Sequence, residues 1–215
     1  FFFFCCAKFH TMSSNEYAKK ESKGSKQVTV KVGMVGDSQV GKSSLMVKYV
    51  DGSFDEDYIQ TLGVNFMDKT VSVRGTEITF SIWDLGGQKE FLNMLPLVCN
   101  EALAILFMFD LTRNSTLVSV KDWYRQARAI NKTAKPILVG TKYDLFESFD
   151  PEVKAETTLS ARKFARAMKA PLVYCSAAGP VNIQKVFKVC LSKVFELNCT
   201  LEKNVDANAG PVLEY

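Results

Sequence analysis

The stretch from Gly36 to Ser43 reads G-D-S-Q-V-G-K-S, a run with the chemistry to hold a polyphosphate. The pattern G-x-x-x-x-G-K-[ST] wraps phosphate oxygens in backbone N–H groups. Here Gly36, Asp37, Ser38, Gln39, Val40 and Gly41 supply that backbone, and Ser44 continues the cradle into the next element. Lys42 reaches the terminal phosphates, and the Ser43 hydroxyl is placed to ligate Mg²⁺. The glycines allow close approach, and a following helix turns its positive end toward the charge. The bland alternative is a chance Gly-rich turn between strand and helix. The joint register of strand, lysine and hydroxyl speaks against it.

Two further clusters extend this chemistry. Asp84-Leu85-Gly86-Gly87-Gln88 follows an apolar run and starts 41 residues after Ser43. Asp84 at a strand's end can hold Mg²⁺ through water, and the glycine pair Gly86-Gly87 leaves a backbone N–H free to approach a γ-phosphate. Gln88 carries the amide needed to orient an attacking water. Thr141-Lys142-Tyr143-Asp144 then follows PILVG. A carboxylate at Asp144 accepts from the guanine N1–H and 2-amino group, a pair that adenine lacks, and buried polar sites reject unmatched ligands strongly. The stem of Lys142 can lie along the base. Ser176, Ala177 and Ala178, after the last strand, offer backbone N–H groups to the guanine carbonyl and form the least specific motif.

The elements that must position these residues alternate strand and helix, the pattern of an α/β domain on a mostly parallel sheet. Strands are expected over 28–35, 64–73, 77–83, 103–109, 136–140 and 171–175. Helices are expected over 42–50, 115–130, 157–169 and 182–197. Arg74-Gly75-Thr76 reads as a hairpin turn, and the runs LAILFMF and PILVG read as central strands buried on both faces. Trp123 and Tyr124 read as packing or rim residues of their helix, in preference to an effector site.

Composition narrows the alternatives. With 215 residues, 47% apolar residues and 16 phenylalanines, the chain can bury one sizeable core. Residues 1–26 hold five lysines against two glutamates, which accounts for most of the net charge of +4. The rest is nearly neutral, so no nucleic-acid partner is expected. The single histidine is His10, which argues against histidine-based nucleophilic catalysis or a His-rich zinc site. The six cysteines form no CxxC and suit a reducing compartment. Residues 1–11 (FFFFCCAKFHT) contrast with the polar stretch after Met12, which is the expected start. Acylation at Cys5 and Cys6 is the functional alternative.

Residues 28–199, about four-fifths of the chain, resemble a Ras-superfamily small GTPase, with GDSQVGKS and TLGVNF leaning toward the Rab branch. The resemblance implies an α/β P-loop NTPase G domain with a mostly parallel six-stranded sheet and helices on both faces. It would be preceded by a disordered basic leader over 1–27 and followed by a flexible tail over 200–215. It implies GTP/GDP and Mg²⁺ as ligands. Thr61 would bind Mg²⁺ and sense the γ-phosphate, Phe54 would lie against guanine, and Tyr58 would cover the phosphates. The mobile segments would be 53–64 and 85–96. Two departures stand out: Thr141 replaces the usual asparagine of N-K-x-D, and Ala178 replaces the lysine of S-A-K. Gln88 is present, so hydrolysis is expected. No arginine lies in 53–64, so one would come in trans from an activating protein.

The segment 81–146 is similar to the septation and mitotic-exit group of these GTPases. That likeness implies a switch acting in the cytoplasm at the spindle pole body or centrosome. It would signal to an effector protein kinase under a GTPase-activating complex, with an exchange factor and a spindle-pole scaffold as further partners. The tail shows no C-terminal cysteine box, so no stable membrane anchor is expected. The rival readings are a Rab-like trafficking GTPase and a GTP-bound scaffold with little turnover.

Overall fold

The computed structural model describes residues 27–55, 57 and 60–215. The leader, with its Cys5/Cys6 alternative, and Tyr58 lie outside the described residues. The chain runs β1 (Gln27–Val35), α1 (Lys42–Val50), β2 (Val64–Val73), β3 (Thr76–Leu85), a 3-10 turn (Lys89–Met94) and α2 (Leu95–Cys99). It continues with β4 (Ala104–Asp110), α3 (Asn114–Ile130), β5 (Lys135–Thr141), α4 (Tyr143–Phe146), α5 (Pro151–Met168), β6 (Leu172–Tyr174), α6 (Ile183–Val194) and β7 (Leu213–Glu214).

The apolar runs become the middle of one sheet of order β2-β3-β1-β4-β5-β6-β7. β2 and β7 pair antiparallel with their neighbours, and the other pairings are parallel. Successive strand residues point to opposite faces, so a strand buried on both sides must be apolar throughout. β4 meets that condition, with every residue buried. Its Ile105, Phe107 and Phe109 join Leu117 and Val120 of α3 and Ala161 of α5 on one face. Leu106 and Met108 join Leu45 and Tyr49 of α1 and Phe187 of α6 on the other. Tyr49 and Phe187 stack at 3.6 Å between ring centroids. β2, at the sheet edge, alternates between half-buried and exposed residues instead.

Local sequence explains the element ends. α5 begins at Pro151, earlier than the expected 157, because the Asp150 side chain accepts the Glu152 N–H at 2.8 Å and proline suits the first helical position. Gly33 lets α2 lie directly on β1, since a Cβ there would sit 2.9 Å from Val98 Cγ1 and 3.0 Å from its carbonyl oxygen.

Two expectations need correction. The sheet has seven strands rather than six, and residues 200–215 fold back onto the domain instead of forming a free tail. β6 would otherwise present an unpaired edge. Tyr174 N–H donates to the Val212 carbonyl at 2.8 Å, and Val173 pairs with Leu213. Val212 and Leu213 are fully buried, and Arg162 meets Glu214 at 2.6 Å. A strand of two residues, Leu213 and Glu214, is too short to show a period, which is why the sequence alone did not reveal β7.

Candidate active site

The expected motifs gather where ligands bind in open α/β sheets, beyond the carboxyl ends of the strands. The turn after β1 carries the phosphate loop, β3 ends at Asp84 and Leu85, β5 ends at Thr141, and β6 leads into Cys175 and Ser176. The phosphate loop, the segment just after β3, Thr141 and the turn at Cys175 and Ser176 line a cleft of about 550 Å³, within the range of small-molecule sites. Ser38, Lys42 and Ser43 stand at one end, and Lys142, Asp144 and Ala177 at the other. Gln39, Gly41, Ser44, Phe54, Thr61, Gly87, Gln88, Thr141, Ser176 and Ala178 also border it.

The loop's shape depends on glycine where no Cβ fits. Gly36 has φ 152°, and a Cβ would lie 2.3 Å from the Met108 carbonyl oxygen. Gly41 has φ 86° and immediately precedes α1. Lys42 is buried, and its Nζ donates to the carbonyls of Gly36 at 3.0 Å and Asp37 at 2.8 Å, so the ammonium is held across its own loop. Burial lowers the Lys42 pKa below its ordinary value, against the opposing pull of the Asp84 and Asp37 carboxylates.

Under the loop, three oxygens converge. Ser43 Oγ donates to Asp84 Oδ2 at 2.5 Å and lies 2.6 Å from Thr61 Oγ1, which is itself 3.4 Å from Asp84 Oδ2. Burial pushes the Asp84 carboxyl above its ordinary range, while Lys42, Ser43 and Thr61 pull it back down. Asp84 Oδ1 is buried without a hydrogen-bond partner among the described residues. Two hydroxyls and a carboxylate are hard oxygen donors, and an unsatisfied buried acceptor beside them fits a hydrated Mg²⁺. Among the described residues there is no cluster of three or more His, Cys, Asp or Glu side chains that could hold a metal ion.

Gly86 and Gly87 press the segment after β3 against its neighbours. Gly86 N–H donates to the Gly63 carbonyl at 2.8 Å, and a Cβ on Gly87 would lie 2.3 Å from both Asp37 C and Ser38 N. The two segments expected to switch therefore touch each other and the phosphate loop.

At the base end, Ser176 Oγ donates to the Asp144 carboxylate, and Gly179 N–H donates to Ser176 Oγ at 3.1 Å. Thr141 Oγ1 lies 2.5 Å from the Val40 carbonyl oxygen and 2.9 Å from that of Phe109. The substituted threonine thus still touches the phosphate loop.

Not every expected residue faces the cleft. Val40 is buried in the core beside α1, Gly36 shapes the loop from below, and the Asp37 side chain turns away to accept the Trp123 indole N–H at 2.8 Å. Sequence reasoning missed Asp110, Arg113 and the polar role of Trp123. Asp110 Oδ2 meets Lys142 Nζ at 2.8 Å and Arg113 Nε at 2.9 Å, and Arg113 Nη2 donates to the Ser38 carbonyl at 3.1 Å. The available signal was a carboxylate closing an otherwise apolar strand, LFMFD.

Comparison with known proteins agrees with this geometry. The sequence model of the Ras family matches residues 31–196. The chain is 65% identical over 190 residues to "Septum-promoting GTP-binding protein 1" of Schizosaccharomyces pombe, covering 87% of this chain and 94% of that protein. It is 28% identical over 180 residues to "Ras-related protein SEC4" of Saccharomyces cerevisiae, covering 83% and 78% of the two chains. It is 32% identical over 155 residues to "GTP-binding protein YPTM1" of Zea mays, covering 72% of each. Matched in this way along most of its length, the chain belongs to the Ras family, whose small GTPases bind GTP and GDP, generally with Mg²⁺, hydrolyse GTP, and work with activating, exchange and effector proteins.

Proposed function

We propose that this chain is a GTP-hydrolysing switch that controls septation or mitotic exit through a protein-kinase cascade. The observation that carries the switch chemistry is the meeting of Ser43, Thr61 and Asp84 at the phosphate end of a cleft whose far end holds Asp144. The septation role draws its support from the 65% identity to the septum-promoting protein.

In this reading, catalysis is positioning and electrostatics. Loop N–H groups and the Lys42 ammonium cradle the phosphates. Thr61 and the Gly87 N–H read whether a γ-phosphate is present, and Gln88 orients the attacking water. Bound between Ser43, Thr61 and Asp84, Mg²⁺ would neutralise phosphate oxygens. Asp144 accepts from guanine N1–H and the 2-amino group. Ala177 and Ala178 offer backbone N–H groups to its carbonyl, while Phe54 and the Lys142 stem flank the ring. Ser176 fixes the Asp144 carboxylate in place.

The partners follow the same logic. Residues 53–64 contain no arginine, and Arg113 is committed to Asp110 and Ser38. The charge-stabilising arginine therefore comes in trans from an activating complex. An effector kinase, an exchange factor and a scaffold at the spindle pole body complete the proposed circuit, in the cytoplasm.

Single-turnover hydrolysis of bound GTP tests the reading. Gln88→Leu should abolish turnover while retaining nucleotide, and Asp144→Asn should shift preference from guanine toward xanthine nucleotides. A wild-type chain that binds GTP without hydrolysing it would move the function to a nucleotide-locked scaffold.

A further inference from the structure

We propose that Asp110 is a positioning residue that latches the base-binding loop to the phosphate loop and thereby sets how long the nucleotide stays bound. The inference rests on the nucleotide-switch reading above and extends it to a residue that does not border the cleft.

Asp110 ends β4 and is 1% exposed. Its Oδ1 accepts the Thr112 N–H at 2.9 Å and the Thr112 hydroxyl at 2.7 Å, which fixes the orientation of the carboxylate. Its Oδ2 then receives two cations, Lys142 Nζ at 2.8 Å and Arg113 Nε at 2.9 Å. Those cations lead to opposite ends of the cleft. Lys142 borders the base end, and drawing its ammonium down to Asp110 stretches the aliphatic stem along the cleft wall. Arg113 turns its other nitrogen, Nη2, onto the Ser38 carbonyl of the phosphate loop at 3.1 Å.

A guanidinium can make both contacts at once because its donors form a rigid fork, which an ammonium cannot reproduce. Lys142 also sits at φ 59°, in the left-handed region that non-glycine residues adopt uncommonly. Burial alone would push the Asp110 carboxyl up. The hydrogen bonds from Lys142, Thr112 and Arg113 outweigh burial and hold it below its ordinary value, so the latch is charged at neutral pH. A buried carboxylate with two charge-assisted bonds is stronger than neutral pairs. The consequence is that base grip and phosphate grip loosen together.

Release of fluorescently labelled GDP from the full chain in Mg²⁺ buffer tests this, using Asp110→Asn, Arg113→Lys, Lys142→Ala and the Asp110→Asn/Lys142→Ala pair. Asp110→Asn should speed release about tenfold, the size expected for loss of a charge-assisted contact. The double variant should fall short of the product of the two single effects, because both remove one shared contact. Arg113 is partly exposed, so Arg113→Lys should fold like wild type, with an unchanged melting temperature, and still release faster. Release from Asp110→Asn and Arg113→Lys within about twofold of wild type, or effects that multiply independently in the double variant, would overturn the latch. A wild-type chain that retains no labelled GDP would instead overturn the nucleotide reading itself, and the latch with it.

Discussion

Trp123 Nε1 donates to Asp37 Oδ1 at 2.8 Å, so a buried residue of the third helix holds the second residue of the phosphate loop. The indole packs with the core around β4 while its N–H serves a carboxylate from β1's following turn. Packing and loop geometry are joined in one side chain, as buried tryptophans tend to do.

Replacing Trp123 with phenylalanine keeps much of the apolar bulk and removes only the donor. Hydrogen bonds to charged groups are worth more than neutral ones, so Trp123→Phe should cost about 1.5 kcal/mol and hasten GDP release. Urea unfolding and nucleotide-release rates check both effects. An unchanged unfolding midpoint would mean that the indole N–H contributes nothing to stability.

Gly33→Ala probes the contact between β1 and α2. The added methyl would fall 2.9 Å from Val98 Cγ1 and 3.0 Å from the Val98 carbonyl oxygen, which leaves the backbone little room to yield. Overpacking of this kind should cost about 2 kcal/mol, while guanine specificity, set at the far end of the cleft, stays as it was. Thermal melts alongside GTP and ATP competition assays separate these outcomes.

The thiols give a pH-dependent signature. Burial pushes Cys175 and Cys190 up to about 12, and Cys99 up to about 11, from an ordinary value of 9.0. In the folded state these thiols stay protonated where the unfolded chain has already lost its protons. Their contribution to stability is therefore complete below pH 9 and declines as pH rises toward 12. Cys190→Ala should flatten that alkaline decline. At pH 8, alkylation followed by peptide mapping should find Cys99, Cys175 and Cys190 unmodified in the native protein and modified after denaturation.

The C-terminal strand predicts a cost of its own. Leu213 is 1% exposed and pairs with Val173 of β6. Leu213→Asp would bury a carboxylate without a partner, so β7 should detach, with a loss of about 3 kcal/mol. Hydrogen exchange would report it as faster exchange at Tyr174, whose N–H donates to the Val212 carbonyl. GTP hydrolysis should persist at the folded fraction's level, because β7 borders no part of the cleft.

What the sequence made legible follows from the range of each interaction. The phosphate loop, Asp84, Gln88 and Asp144 were readable because contiguous motifs encode them, and β4 and β5 because burial on both faces demands unbroken apolar runs. β7 was not, since its two residues become a strand only when β6 offers them a partner. The Asp110 cluster escaped for the same reason. Asp110 and Lys142 lie far apart in the chain, and only the parallel pairing of β4 with β5 sets Asp110 beside Thr141 and brings the carboxylate within reach. Likewise, Trp123 was read correctly as a packing residue, while its bond to Asp37 spans 86 positions that no periodicity records.

Thr141 has a consequence that lies in counting protons. Its hydroxyl stands within bonding distance of two carbonyl oxygens, Val40 at 2.5 Å and Phe109 at 2.9 Å, yet a hydroxyl has a single proton to give. At any instant that proton serves one of the two. An asparagine in its place would bring two N–H donors and could serve both together. The threonine therefore gives the seam between phosphate loop and strand one side-chain hydrogen bond where an asparagine could give two.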